Sequence, residues 1–166
     1  MNFNNLHPII DELDLESDRG LVLVAGAMLE KELEKHLTRR LLPQLSKKDE
    51  LLHRADFETK IILAYRVGLI TEQEFKIYNQ LRELRNKCAH EITHQTFDKD
   101  HFKHRIVNII KLSPQIWNGL TQGKSVDDFV ETLGWRKSFT LFFALIIMHK
   151  RDSIDRVPAV KSLSKT

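Results

Sequence analysis

Residues 21–41 read Leu21-Val22-Leu23-Val24-Ala25-Gly26-Ala27-Met28-Leu29-Glu30-Lys31-Glu32-Leu33-Glu34-Lys35-His36-Leu37-Thr38-Arg39-Arg40-Leu41. Leu21, Ala25, Leu29, Leu33, Leu37 and Leu41 recur every four residues, which lines one side of a helix with aliphatic groups. The first half, Leu21 to Leu29, is apolar on every side and belongs at the centre of a core. Asp18 is the expected cap. Pro43 stops the helix near Leu42, because proline has no amide hydrogen to donate and crowds the preceding turn. Ser46 to Asp49 is a polar connection.

The pattern continues on the C-terminal side. From Asp56 a second helix sets Phe57, Ile61, Ala64 and Tyr65 on one stripe, with Gly68 as its left-handed terminator. The next helix starts at once. Thr71 and Glu74 form a T-x-x-E capping box, Ile70 and Phe75 take the positions of a hydrophobic staple, and Ile77, Leu81, Leu84 and Cys88 supply a buried seam. After a polar loop at Thr93 to Asp98, Phe102, Ile106, Ile109 and Ile110 describe a fourth helix that Pro114 ends or restarts. Gly119 and Gly123 mark a turn region. Ser125 and Asp128 cap a last helical stretch through Phe129, Val130 and Leu133, bent at Gly134 and continuing from Phe139 to Met148. Taken alone, the apolar run Leu141 to Met148 also suits a buried strand. With no partner strand nearby, helix is the reading.

Composition agrees. The chain has 166 residues, 42% of them hydrophobic and 30% charged, enough for one domain with a real core and far from the composition of a disordered chain. Six Gly and four Pro are too few for the frequent turns of a β-sandwich. The expected fold is therefore all-α, a single-domain helical bundle of about five helices. Residues 1–14 read as an N-terminal extension, 15–150 as the helical domain and 151–166 as a flexible C-terminal tail.

Met1 to Asp14 has no basic region ahead of an apolar stretch and reads as no secretory signal. No apolar run reaches the ~20 residues of a membrane span. The single Cys88 reads as a small buried hydrophobe in a reducing compartment, so the cytoplasm is expected. A net charge of +3 and a pI near 9.0 permit contact with nucleic acid, but the basic residues are scattered among nearly as many acids. No cofactor is called for.

Three patterns could carry chemistry. The first is Arg85-Asn86-Lys87-Cys88-Ala89-His90. Arg82, Asn86 and His90 stand at i, i+4 and i+8 on one polar line, with Arg85 about 100° round the helix. A guanidinium can hold phosphate oxygens and an imidazole can move a proton near neutral pH, so these four residues are the candidate binding surface. As a catalytic set, Arg85, Asn86 and His90 would cleave a phosphodiester. The competing reading is structural: Arg85 and Asn86 make hydrogen bonds within the fold, and His90 is one of the cations favoured at a helix C-terminus.

The second pattern, His90-Glu91-Ile92-Thr93-His94, is a literal H-E-x-x-H. His90 and His94 would ligate zinc and Glu91 would activate water for peptide hydrolysis, with Asp100, His101 or His104 as a third ligand. The third is helix, turn, helix from Phe57 to His90, with Ala64 and Gly68 spaced as in a DNA-reading unit. That unit needs a buried aliphatic where Glu74 stands, so a structural hairpin is the reading.

Several stretches together resemble the mannitol operon repressor family: Ser17-Asp18-Arg19-Gly20-Leu21-Val22-Leu23-Val24-Ala25, then Phe57-Glu58-Thr59-Lys60-Ile61 through Leu69-Ile70, and Leu84-Arg85-Asn86-Lys87-Cys88-Ala89-His90. The resemblance spans about residues 15 to 150. It implies an all-helical protein without a DNA-reading motif that represses transcription through protein partners. The R-N-x3-H spacing also resembles HEPN domains, whose catalytic members are metal-independent ribonucleases that pair Arg and His across a dimer. The expectation is thus a repressor-like transcription regulator with a protein partner and a capacity for homodimers, without direct sequence-specific DNA binding and without a membrane. A HEPN-type ribonuclease of a toxin or defence system acting on RNA is the alternative, and a zinc peptidase is the third reading.

Overall fold

The computed structural model describes residues 6–46, 49–90, 100–113, 123 and 125–160. All regular structure among them is helical: α1 (Leu6–Asp14), α2 (Asp18–Arg40), α3 (Leu51–Arg54), α4 (Phe57–Arg66), α5 (Glu72–His90), α6 (Asp100–Lys111), α7 (Val126–Asp152) and a 3-10 turn at Ile154–Arg156. The described residues thus hold seven α-helices rather than about five. The two extra helices are the short ones. α3 is a single turn beside the polar connection. α1 sets Leu6, Ile9, Ile10 and Leu13 on one face, with Pro8 in the first turn, where its missing amide hydrogen costs nothing. Ile9 and Leu13 are fully buried against α7 and α2, so the stretch read as an extension supplies part of the core.

α2 is the central helix and touches α1, α3, α4, α5 and α7. Leu21, Ala25, Leu29, Leu33 and Leu37 are wholly buried. Each leucine hidden this way contributes about 1.5–3 kcal/mol. The cap is Ser17 rather than Asp18: the Ser17 hydroxyl accepts from the Gly20 amide at 3.0 Å. Asp18, the first helical residue, binds Arg136 Nη1 at 2.6 Å instead. Arg136 Nη2 also donates to the carbonyls of Asp14 and Glu16, and this clamps the α1–α2 corner onto α7.

In the α4–α5 hairpin, Asp56 Oδ1 accepts from the Thr59 amide at 2.8 Å. Gly68 takes φ 72°, a left-handed conformation that glycine adopts without cost, and the Leu69 amide reaches back to the Ala64 carbonyl at 2.8 Å. The capping box is present, with Thr71 N–H donating to Glu74 Oε2 at 2.8 Å and Glu74 N–H to Thr71 Oγ1 at 3.1 Å. Phe57, Ile61 and Ala64 are buried, while Tyr65 lies at the edge of the stripe, 42% exposed, its ring 5.1 Å from that of Phe75. On α5 the seam of Ile77, Leu81, Leu84 and Cys88 is buried and is joined by Tyr78.

Phe102, Ile106, Ile109 and Ile110 bury the inner face of α6. Pro114 and Gly119 lie outside the described residues. α7 is capped by the Ser125 hydroxyl, which accepts from the Asp128 amide at 3.1 Å, and it kinks at Gly134 (φ 80°). Residues 141–148 are helical, with Phe142, Phe143, Ala144, Ile146, Ile147 and Met148 buried among the other helices. Buried residues from α1, α2, α4, α5, α6 and α7 form one core. Among the described residues, no helix is long and apolar enough to cross a membrane.

Candidate functional site on α5

The hairpin lays the C-terminal half of α5 beside the N-terminal end of α4, with α2 beneath both. This sets Arg85 apart from the polar line of Arg82, Asn86 and His90. Arg85 turns inward. Its Nη1 donates to Glu30 Oε2 on α2 at 2.9 Å, and its guanidinium carbon stands 5.7 Å from the centre of the Phe57 ring. Its stem passes over Gly26, where a Cβ would come within 2.8 Å of Arg85 Cδ. Glu30 and Gly26 are one helical turn apart, so α2 presents the gap for the stem and the carboxylate for the head on the same side.

Glu30 has a second cation. Lys60 Nζ on α4 donates to Glu30 Oε1 at 3.0 Å and to Glu34 Oε2 at 2.8 Å, and the Lys60 side chain is only 6% exposed. Burial pulls the Lys60 pKa down, and the bonds to Glu34 and Glu30 more than offset it, so the ammonium holds its proton above the ordinary lysine range. Arg85, Glu30, Lys60 and Glu34 form a continuous string of alternating charge across α5, α2 and α4.

Arg82 is tied less deeply. Its Nη1 meets Glu58 Oε2 at 3.0 Å and its Nε meets Asn79 Oδ1 at 3.3 Å. Glu58 is 51% exposed, and so open a pair contributes no more than about 1 kcal/mol. Asn86 and His90 are exposed, and neither side chain bonds to another described residue. The turn that carries His90 is fixed by Arg19 of α2, whose Nη2 donates to the Ala89 carbonyl at 3.1 Å.

Between α4 and α5 lies a shallow cleft of about 420 Å³ bounded by Glu30, Asp56, Phe57, Glu58, Arg82, Arg85, Asn86 and Ala89. Three carboxylates line it against two guanidiniums. The Asp56 carboxylate caps α4, and the Thr59 amide holds it below the usual carboxylate range, so it stays ionised. A phosphate entering here meets a surface whose cations already have carboxylate partners. The cheap exchange is at Arg82, where a partner's acid can replace Glu58. Exchange at Arg85 is dearer, since it takes from the part-buried Glu30 one of its two cations and lifts the arginine stem off Gly26.

Sequence reasoning found the α5 side of this surface and missed Gly26, Glu30, Phe57 and Glu58 opposite. The one local signal was Gly26, a glycine inside an otherwise unbroken helical pattern. Of the H-E-x-x-H stretch, His90 is the last residue of α5, and Glu91 and His94 lie outside the described residues. His104 is exposed on α6. Among the described residues, no three His, Cys, Asp or Glu side chains are placed to hold a metal ion together. Set against protein-family models, curated proteins and solved structures, the chain matches none of them.

Proposed function

We propose that the chain is a non-catalytic, repressor-type transcription regulator of the cytoplasm that works by docking a protein partner on the Arg82, Asn86 and His90 face of its helical bundle. The observation that carries this reading is the engagement of Arg85 by Glu30, Gly26 and Phe57, which makes it a strut between α5 and α2 rather than a free phosphate ligand. Arg82 with an exchangeable partner, and Asn86 and His90 with none among the described residues, offer the mixed donor and acceptor groups of a polar protein interface. Glu74, standing where a DNA-reading hairpin needs an aliphatic, is bound to Lys150 at 2.8 Å, which supports action through a partner. The resemblance to the mannitol operon repressor family points the same way.

The ribonuclease reading keeps one supporting observation, the exposure of Asn86 and His90 along one line with Arg82. Transcript profiling tests the regulator directly. Cells lacking the chain are complemented with wild type or with Arg82→Glu/Asn86→Lys. The regulator predicts transcripts that rise on loss, that wild type silences again and that the double variant leaves high. Full silencing by the double variant, or no transcript change on loss, contradicts it.

A further inference from the structure

Acids and bases alternate along the middle of α2, Glu30-Lys31-Glu32-Leu33-Glu34-Lys35, but the fold sorts them by direction. Glu32 is 2% exposed and turns inward, where its Oε1 binds Lys35 at 2.9 Å and Arg151 of α7 at 3.2 Å. Glu30 and Glu34 turn toward α4 and hold Lys60. Lys31, Lys35, Thr38 and Arg39 stand at i, i+4, i+7 and i+8 on one face, and all four are exposed. With Glu34, and with Ile154 of the turn after α7, they line an open groove of about 440 Å³. From Lys31 to Arg39 the row runs straight for about 12 Å along the helix axis.

The charges of this groove do not cancel. Among the described residues Lys31 has no ion pair. Lys35 and Arg151 share one oxygen of a single carboxylate. Arg39 meets Asp155 at 3.1 Å, and the Asp155 side chain is 88% exposed, so an incoming anion can take its place. Glu34 is engaged by Lys60. Lys31, Lys35, Arg39 and Arg151 thus have two carboxylates between them, the reverse of the α4–α5 cleft, where three carboxylates face two guanidiniums. The negative end of the helix dipole accounts for cations in the last turn of α2, Arg39 among them. That effect does not extend to Lys31, about two turns earlier.

Such a row suits a stiff linear polyanion. A protein interface has an apolar centre depleted of charged side chains, whereas Ile154 is the one apolar residue lining this groove. Single strands are held partly by stacking their bases on aromatic rings, and no ring lines the groove. Duplex DNA carries one negative charge per ~1.7 Å of its axis, and lysine and arginine meet its phosphates without reading its bases.

We propose that Lys31, Lys35 and Arg39 of α2, with Arg151 beside them, form a sequence-independent docking surface for the phosphate backbone of duplex DNA. The string of Glu34, Lys60, Glu30 and Arg85 separates this row from the Arg82, Asn86 and His90 face. The chain can therefore rest on DNA with that face open to a protein, and the DNA contact stands whether or not a protein docks there.

The test is fluorescence anisotropy of a labelled random-sequence duplex of about 20 base pairs, titrated with the full chain from about 25 to about 150 mM salt. Three to four phosphate contacts predict that log K falls with log salt at a slope of about −2.7 to −3.6. Lys31→Gln/Lys35→Gln should make the slope shallower by about 1.8 and weaken binding about tenfold or more per lysine at the lowest salt. Lys111→Gln/Lys137→Gln, which removes the same charge from exposed positions on α6 and α7, should keep the wild-type slope. Circular dichroism establishes that each variant is folded. Should the first double variant not fold, Lys31→Gln alone decides, since Lys31 has no ion pair to lose, with a slope shallower by about 0.9. The proposal is overturned by absence of binding in wild type, by an unchanged slope in the folded Lys31 variants, or by an equal loss in Lys111→Gln/Lys137→Gln. Tighter binding to a single-stranded RNA of the same length, or to phosphatidylglycerol vesicles, overturns it as well.

Discussion

A Cβ on Gly26 would stand 2.8 Å from Arg85 Cδ, so the arginine stem lies where any other residue would put its side chain. Gly26→Ala gains about 1 kcal/mol of helix propensity but crowds the stem at about 1–3 kcal/mol. The expected net is a loss of up to about 2 kcal/mol. In an Arg85→Ala background the obstruction is gone, and the same change should stabilise by about 0.5–1 kcal/mol. Urea unfolding of the four proteins reads this change of sign as a double-mutant cycle.

Glu30 serves two cations and Lys60 serves two carboxylates, yet their removal is unequal. Glu30→Ala leaves Arg85 without its carboxylate and the buried Lys60 with one, at a cost of about 2–4 kcal/mol. Lys60→Met leaves Glu30 with Arg85 and Glu34 half in water, and should cost under about 1 kcal/mol. Because the Lys60 pKa is raised in the fold, its contribution is complete below the ordinary lysine pKa of 10.5. It is lost as pH rises through the folded value. Thermal melts above pH 10.5 should therefore fall for wild type and stay flatter for Lys60→Met.

Glu74 has the opposite sign. Burial pushes its pKa up, but the Lys150 ammonium and the Thr71 amide outweigh this and hold the carboxyl below its ordinary value. Its stabilisation is present above the unfolded pKa of 4.5 and lost as pH falls through the folded value. Glu74→Gln should lower stability at pH 7 and flatten the acid limb of a melting-temperature profile below pH 4.5. An unchanged acid limb would remove Glu74 from this role.

Gly134 holds φ 80° and ψ 159° in the middle of α7, a region essentially reserved for glycine, and nothing lies within 4 Å of a Cβ built there. Gly134→Ala should cost about 1–3 kcal/mol through backbone strain alone. A neutral result in chemical denaturation would mean that the kink is not required.

The long helices were legible because their apolar residues recur with the helical period over many turns. Local caps were legible where one short motif completes itself, as with Thr71 and Glu74. α1 gives little sequence signal because its nine residues make only about two turns of periodicity. Ser17 and Asp18 are both good capping residues, and only the long-range bond from Asp18 to Arg136 separates their roles. The candidate site was half legible for the same reason. Arg82, Asn86 and His90 share a line by their spacing on α5, whereas the partners of Arg85 lie on helices far away in sequence. Spacing along one helix says nothing about what another helix brings against it.

The most direct test of the non-catalytic reading is RNA cleavage by purified wild type, Arg85→Ala and His90→Ala, with and without EDTA, after circular dichroism has confirmed that each is folded. The strut role of Arg85 predicts no cleavage of varied RNAs by any of the three, with Arg85→Ala less stable than wild type. Metal-independent cleavage by wild type that disappears in both folded variants would contradict it and make Arg85, Asn86 and His90 a ribonuclease centre.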